Sequence, residues 1–220
     1  FDGATGQVSS GAVGAGASFV KISVDNGSVT DTLASIGGGV EIGQGPGSVD
    51  DVVVAAASSL TAGADATAVS AGIGANTANF AFVDAAPEVG AAVASGAAVT
   101  ADGNVSVSAA FTPKTAAETF GVSAGVAAVG ASLAEASVQA DVTAVAGGTI
   151  RADRLTVTGR LGLPGSADNA YSKAVASAGG LVGVTASQST AKTAGQVTGH
   201  VADGAQLRLR LVVLERPPPA

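Results

Sequence analysis

The sequence offers little for catalysis that depends on histidine or cysteine. Among 220 residues there is one histidine, His200, and no cysteine. A Ser-His-Asp arrangement would therefore have to use His200 as its base. A lone histidine is more often a surface or turn residue, so we predict no catalytic residue and no enzymatic activity.

Carboxylates and glycine-rich segments are the candidates for metal or phosphate binding. Asp50-Asp51 is expected to be a solvated turn, with a paired carboxylate or a calcium corner as the alternative. Asp25-Asn26-Gly27 and Asp102-Gly103-Asn104 have the composition of turns, with calcium ligation as the alternative. Gly37-Gly38-Gly39 is not followed by the Lys-Ser/Thr of a phosphate loop. We predict no metal site and no cofactor.

Two side-chain patterns could serve other ligands. Phe80 and Phe82 alternate along a predicted strand, so their rings share one face. Local core packing or stacking between coils is expected of them, and a carbohydrate-stacking platform is the alternative. Thr156 and Thr158 could begin a flat threonine face of the ice-binding kind, but one pair is too little for such a face.

The composition predicts a thin interior. The chain is 47% hydrophobic but only 3% aromatic, with 32 Gly and no Met, Trp or Cys. Its apolar content is mainly Ala and Val, which cannot fill a wide core at normal packing density. Closely spaced sheets or a narrow solenoid meet this condition. Glycine does not recur at every third position, which excludes collagen.

Internal similarity predicts a repeat protein. Gly72, Gly125 and Gly179 follow one another at nearly equal intervals, and each ends a similar Ser-Ala-Gly segment. A second set of equivalent positions follows an Ala-Asp sequence and consists of Val105, Leu155 and Leu207. The predicted copies span about 9–68, 69–121, 122–176 and 177–214, and together they form a single domain, 1–214.

Alternation of polar and apolar residues predicts an all-β fold, specifically a parallel β-helix (β-solenoid) of about four degenerate repeats of roughly 53 residues. One repeat would hold two coils of conventional size or one wide coil. A helix over Ala127–Ala140 is the alternative, since Ala is the best helix former. Residues 215–220 (ERPPPA) form a Pro-rich tail that cannot pair in a sheet.

The segments VSAGVAAVGASLAEASVQADVTA, at 122–144, and GGTIRADRLTVTG, at 147–159, resemble a known class of repeat. They are similar to the repeat regions of giant secreted bacterial exoproteins and adhesins of the filamentous-haemagglutinin type. The resemblance implies a right-handed parallel β-helix, secretion to the bacterial cell surface, and a role in adhesion or biofilm structure. Surface carbohydrate or a host protein would then be the partner.

The net charge and its distribution along the chain indicate which partners the protein could bind. The net charge of −7 and pI near 4.4 argue against nucleic acid. No run reaches the ~20 apolar residues of a membrane-spanning helix. Residues 1–110 carry one Lys against ten Asp and Glu, whereas residues 111–220 carry nine Lys and Arg against seven. This asymmetry predicts end-to-end self-association, with stacking on neighbouring repeats of a longer parent chain as the alternative.

We therefore expect a structural or adhesive segment of a secreted cell-surface protein or extracellular fibre. A carbohydrate-binding or carbohydrate-active β-helix is the alternative from a different class. That alternative requires an acidic cleft, and the sequence does not indicate which carboxylates would form one.

Overall fold

The computed structural model describes residues 4–10, 13–25, 32–162 and 170–210, and every regular element in these ranges is a β-strand. The strands are β1 (Ala4–Ser10), β2 (Val13–Asp25), β3 (Thr32–Ile36), β4 (Glu41–Ile42), β5 (Val52–Ala86), β6 (Glu88–Val93), β7 (Ala98–Thr100), β8 (Asn104–Ala146), β9 (Thr149–Ala152), β10 (Arg154–Leu161), β11 (Ala170–Gly179), β12 (Val182–Val201) and β13 (Gln206–Leu209). The predicted all-β fold is confirmed. The predicted tail 215–220 and the turn residues Asn26 and Gly27 lie outside the described ranges.

The helix considered over Ala127–Ala140 is strand in the structure, because this segment lies inside β8. From Ala128 to Ala136 alternate residues are buried, which is the period of a strand rather than of a helix. Serine, valine and glycine between the alanines lower helix propensity, and pairing with neighbouring strands on both sides decides the outcome.

All strand pairs are parallel, and the chain makes four successive passes. We call the strands of each pass a layer: layer 1 is β1–β4, layer 2 is β5–β7, layer 3 is β8–β9 and layer 4 is β10–β13. Nine strands form one curled sheet, in which β5 and β8 are central. A four-stranded sheet, ordered β13-β9-β7-β4, takes one short strand from each layer.

Each layer pairs with the next at a displacement that is constant within a strand pair but ranges from 50 residues (Asn104 with Arg154) to 61 residues (Val13 with Gly74). Between layers 2 and 3, Asn79 pairs with Ser132 at a separation of 53 residues. Between layers 3 and 4, Asp141 pairs with Gln196 at a separation of 55 residues. The displacement is longest between layers 1 and 2, where Ala4 pairs with Ala64. Successive passes are therefore similar in length, and the differences fall between strands.

The buried face changes side once within β5 and once within β8. In β5 even-numbered residues are buried up to Ser70, and odd-numbered residues are buried from Ala75 onward. In β8 the same change falls between Ser123 and Ala128. Gly72, with φ 149°, lies at the first change, where the left-handed backbone favours glycine. Each of the two long strands, β5 and β8, thus consists of two segments that bury opposite faces, and we call these segments its arms.

The core has two parts that differ in side-chain size. One contains valines, Phe111 and Ile150, and it joins residues of 52–56 to residues of 89–101 and their counterparts in layer 3. The other has ten buried members, of which seven are alanines, Ala136 among them. Alanine on both sides means that the arms approach closely here, as the composition predicts.

A third buried region is polar and lies next to the change of face. Thr77 and Ser123 hydroxyls are 2.9 Å apart, and the Ser123 hydroxyl also donates to the Val129 carbonyl at 2.8 Å. The Ser132 hydroxyl donates to the Val175 carbonyl at 2.9 Å. The bonds of Thr77 and Ser132 link residues of different layers, so they help fix the register of the stack where the buried apolar side chains are only alanines.

One corner of the chain repeats the same turn in three layers. Val40 N–H donates to Gly37 C=O, Ala97 to Ala94 and Ala205 to Ala202, at 3.1–3.3 Å. The third residue of each turn is a glycine with positive φ: Gly39 (79°), Gly96 (83°) and Gly204 (79°). A glycine with φ near +80° at this position is the signature of a type II turn. The Gly37–Gly39 segment is therefore a turn between strands.

Candidate functional site

The predicted equivalent positions are partly brought together. Gly72 pairs with Gly125, and Val105 pairs with Leu155. Gly179 instead pairs with Ala124. Its neighbour Gly180 lies against Gly125, where an added Cβ would collide with the Gly125 carbonyl oxygen.

Leu207 pairs with Ile150 rather than standing beside Leu155. The reason is that the chain has two similar corners in each layer. Ala202-Asp203-Gly204 forms the turn that matches residues 94–97, whereas Asp102 and Asp153 lie at the next corner along the chain. Short Ala-Asp-Gly sequences suit both corners, so sequence matching alone assigns Leu207 to the wrong one.

The structure does not assemble the residues that a Ser-His-Asp site would need. His200 is exposed on β12 and pairs with Val145. The G-x-S-x-G spacing of a nucleophile elbow does occur in the chain, at Gly121-Val122-Ser123-Ala124-Gly125. Such an elbow requires an exposed serine on a strand-to-helix turn. Ser123 is instead buried within β8, and its hydroxyl is engaged by Thr77 and Val129.

The Asp50-Asp51 pair forms a hydrogen-bonded corner between layers. One carboxylate oxygen of Asp51 accepts bonds from the main-chain N–H of Asn104 at 2.6 Å and from its side-chain amide at 3.1 Å. The Asp50 carbonyl accepts from Gly103 N–H at 2.7 Å. Both Asp102-Gly103-Asn104 and Asp50-Asp51 therefore act as turn residues. Within the described ranges no group of three or more His, Cys, Asp or Glu side chains could hold a metal.

We expect Asp51→Ala to lower the free energy of unfolding by about 1 kcal/mol, because two hydrogen bonds to Asn104 are lost at an exposed site. Urea unfolding followed by circular dichroism measures the change. Asp50→Ala is the matched control, since Asp50 contributes its carbonyl and should leave stability unchanged. Equal effects of the two substitutions would contradict this role for Asp51, and stabilisation of the unaltered chain by Ca²⁺ would point to a calcium corner.

Phe80 and Phe82 lie on the outer face of β5, because the residues beside them, Ala81 and Val83, are buried. Their rings meet Phe19 of layer 1, with ring centroids 6.4 Å from Phe80 and 5.7 Å from Phe82. Phe19 is 66% exposed. The expected stacking between passes of the chain is therefore present, while packing into the core is not.

Two members of this cluster, Phe19 and Phe82, line an open cleft of about 360 Å³, which we call the outer cleft. Its polar lining includes two cations and two carboxylates. The cleft is lined by Phe19, Lys21, Phe82, Val83, Asp84, Glu135, Ser137, Gln139 and Lys192. Lys192 Nζ lies 3.1 Å from Glu135 Oε1, and this ion pair joins layers 3 and 4.

A second groove, of about 320 Å³, lies along the four-stranded sheet. Arg151 and Arg208 are paired neighbours on β9 and β13, and Arg210 Nη1 is 3.9 Å from Asp153 Oδ1. Asp102 also lines the groove. Because the carboxylates offset two of the three arginines, this groove is only weakly cationic.

Thr156 and Thr158 do not extend into a threonine face. Their partners in layer 3 are Ser106 and Ser108. A flat face of the ice-binding kind would need threonine at these positions in successive layers.

Layer 4 presents an open surface. Apart from scattered half-buried residues, its strands β12 and β13 are exposed along their length. Large apolar side chains are among them, including Val182 (61%), Val197 (45%) and Leu209 (46%). No further strand covers this layer within the described part of the chain.

A separate apolar ridge runs along the reversal of the arms. It consists of Ile73, Val126 and Leu181, which are 72%, 52% and 86% exposed and directly precede the mutually paired residues Gly74, Ala127 and Val182. Side chains of this size on a ridge favour lateral contact with another surface.

No family model, curated protein or solved structure matches this chain. Among the described residues, no helix is long and apolar enough to cross a membrane. The resemblance to secreted exoproteins therefore rests on the sequence pattern alone.

The outer cleft is not apparent from the sequence pattern, which points to Phe80 and Phe82 but not to Phe19, Glu135 or Lys192. A signal is nevertheless present as two alternating pairs, Phe19-x-Lys21 and Phe80-x-Phe82. These pairs stand farther apart than the other equivalent positions, because the displacement between layers 1 and 2 is longer. A search of the sequence for similar segments about 53 residues apart therefore does not find these two pairs.

Proposed function

We propose that this chain is a structural and adhesive segment of a secreted cell-surface protein or extracellular fibre, built as a parallel β-solenoid. The observation that carries the proposal is the parallel, in-register stacking of successive passes, together with the open face of layer 4. A stack of this kind extends by adding layers and offers its sides for contact with other surfaces.

The pairing displacement supports a solenoid in which about 53 residues make one wide coil, repeated about four times. Buried residues of 52–56 join those of 89–101 in one core, as two facing arms of a flattened coil would. The recurring turn at Gly39, Gly96 and Gly204 supports a common corner. In this arrangement each coil begins near the corner that contains Asp51, upstream of the copy boundaries drawn from sequence.

The charge distribution supports head-to-tail stacking. Residues 1–43 carry one Lys against four Asp and Glu, and residues 44–103 carry six Asp and Glu with no Lys or Arg. Residues 104–153 carry two cations against four carboxylates, and 154–210 carry six against two. The first three segments are therefore net acidic and only the last is net basic, so the last layer of one copy attracts the first layer of another.

Exposed strand edges also favour this contact. The N–H and C=O groups on the open side of layer 4 pair with another strand unless a cap covers them. Contact between unlike ends does not close on itself and gives filaments. In a longer parent protein the same face would continue into the neighbouring repeat.

We expect the chain to associate at low salt and to dissociate as salt is added, because the screening length falls to about 8 Å at physiological ionic strength. Light scattering over a salt and concentration series measures this, and electron microscopy shows whether the products are filaments.

Two valines of β12 provide matched variants. Val197 pairs with the fully buried Val142, so its side chain points toward the core, whereas Val184 pairs with the exposed Val129. A charge facing the core side of an edge layer blocks further stacking. Val197→Lys should therefore abolish association, and Val184→Lys should leave it intact. A monodisperse monomer at low salt and high concentration would end the proposal, and association that strengthens with salt would point to the apolar ridge instead.

A carbohydrate-binding or carbohydrate-active β-helix remains the second candidate. The outer cleft favours it, because it combines exposed aromatic rings with the carboxylates of Asp84 and Glu135.

A further inference from the structure

The outer cleft lies at the one described cluster of this chain's scarce aromatic residues, two of which, Phe19 and Phe82, line it. The sequence has six Phe and one Tyr, and three of these seven lie together as Phe19, Phe80 and Phe82. They are on the outer face, so they do not fill the alanine-rich core beneath them. Phe19 exposes 66% of its surface. An exposed ring of this size contributes to the free energy of binding when a ligand covers it and removes it from water.

The residues beside the rings supply hydrogen-bonding groups, and Lys21 and Glu135 are the direct strand partners of Phe82. Glu135 and Asp84 offer carboxylates, Lys21 and Lys192 offer ammonium groups, and Gln139 offers an amide. The Gln139 side chain donates to the hydroxyl of the neighbouring serine at 3.4 Å, and Lys192 is paired with Glu135. Neighbouring side chains thus position Gln139, Glu135 and Lys192 while leaving hydrogen-bonding capacity open to the cleft.

The charges of the cleft cancel. Two ammonium groups face two carboxylates. An anionic or cationic ligand would gain attraction from one pair and repulsion from the other. The cleft is therefore electrostatically complementary to an uncharged ligand. Its polar groups suit a ligand with many hydroxyl groups, and its rings suit one with an apolar face.

The cleft crosses the strands. Its lining residues come from all four layers, from Phe19 in layer 1 to Lys192 in layer 4. Because neighbouring strands lie about 4.8 Å apart, the cleft extends over about 15 Å. This length suits a short chain of linked units better than a single small molecule.

We propose that the outer cleft binds a neutral oligosaccharide. The C–H face of a sugar ring packs on Phe19 and Phe82, and its hydroxyls donate to Glu135 and Asp84 and accept from Lys192. Charge-assisted hydrogen bonds of this kind are the stronger ones, and they fix the orientation of the ligand. The proposal rests on the adhesive role given above and supplies its ligand class, but it does not depend on end-to-end stacking.

Isothermal titration calorimetry with neutral oligosaccharides tests it. The probes are short malto-, cello-, chito- and galacto-oligosaccharides, with a heparin fragment as the charged comparator. We expect at least one neutral probe to bind. Phe82→Ala and Glu135→Gln should each weaken binding about tenfold, which corresponds to about 1.4 kcal/mol. The heparin fragment should not compete.

Phe120→Ala is the matched control, because Phe120 is also half-exposed, at 47%, but lies outside the cleft. It should leave binding unchanged. Light scattering on Phe82→Ala separates this proposal from the previous one, since that variant should associate as the unaltered chain does. Absence of binding by every neutral probe, preference for heparin, or equal losses in Phe82→Ala and Phe120→Ala would overturn the assignment.

Discussion

Replacing Ala136 by leucine is expected to lower the free energy of unfolding by about 3 kcal/mol, the upper end for overpacking a well-filled core. Ala136 is fully buried in the cluster where seven of ten residues are alanine. In layers 2 and 4 its neighbours are Val83 and Ala191. Because a layer cannot widen without breaking its hydrogen bonds to the adjacent layers, the extra methyl groups meet backbone that cannot move aside.

Urea unfolding monitored by circular dichroism measures this loss. Ala127→Leu is the matched control, since Ala127 lies on the same strand and is exposed. It should change stability by no more than about 0.5 kcal/mol. If Ala136→Leu were as stable as the control, the interior would be wider than the burial of these alanines indicates.

Gly148→Ala is expected to destabilise the chain by about 3 kcal/mol for a different reason, backbone strain combined with a collision. Gly148 has φ 70°, and a side chain in the left-handed region costs about 1–2 kcal/mol. An added Cβ would also lie 2.9 Å from the Ala94 carbonyl oxygen and would collide with that of Ala97. Both oxygens belong to the preceding layer, so relief would require the layers to separate.

Gly204→Ala isolates the conformational part of this cost. Gly204 lies at the same corner in layer 4, has φ 79°, and has no atom within 4 Å of an added Cβ. It should cost only about 1 kcal/mol. Thermal unfolding of the two variants side by side gives the difference. Equal destabilisation would mean that the contact with layer 2 is not what constrains Gly148.

The β-rich fold and the thin interior could be predicted because both follow from local properties. Alternation along 105–111 and the excess of Ala and Val depend on nothing outside the segment. The register of layers 2 and 3 was also accessible, since Gly72 and Gly125 stand in similar sequences at the same reversal of the buried face.

The pairing of layer 4 and the outer cleft could not be predicted, because both depend on how many residues the turns between strands contain. Gly180, and not Gly179, faces Gly125, and Leu207 faces Ile150, because layers 3 and 4 differ in length at several turns. The outer cleft depends on the same lengths, since Phe19 meets Phe80 only through the longer first pass. Low sequence complexity offers many near-equivalent alignments, and three-dimensional pairing selects among them.

The displacement of about 53 residues between paired strands has a mechanical consequence. If the two ends of the chain are pulled apart, the layers detach one at a time, since each contacts only its neighbours. A freed layer of this length spans about 190 Å when fully extended, against the ~5 Å that it occupies in the stack. A tether made of such layers would lengthen in large, discrete steps under tension and so limit the force that reaches whatever it holds.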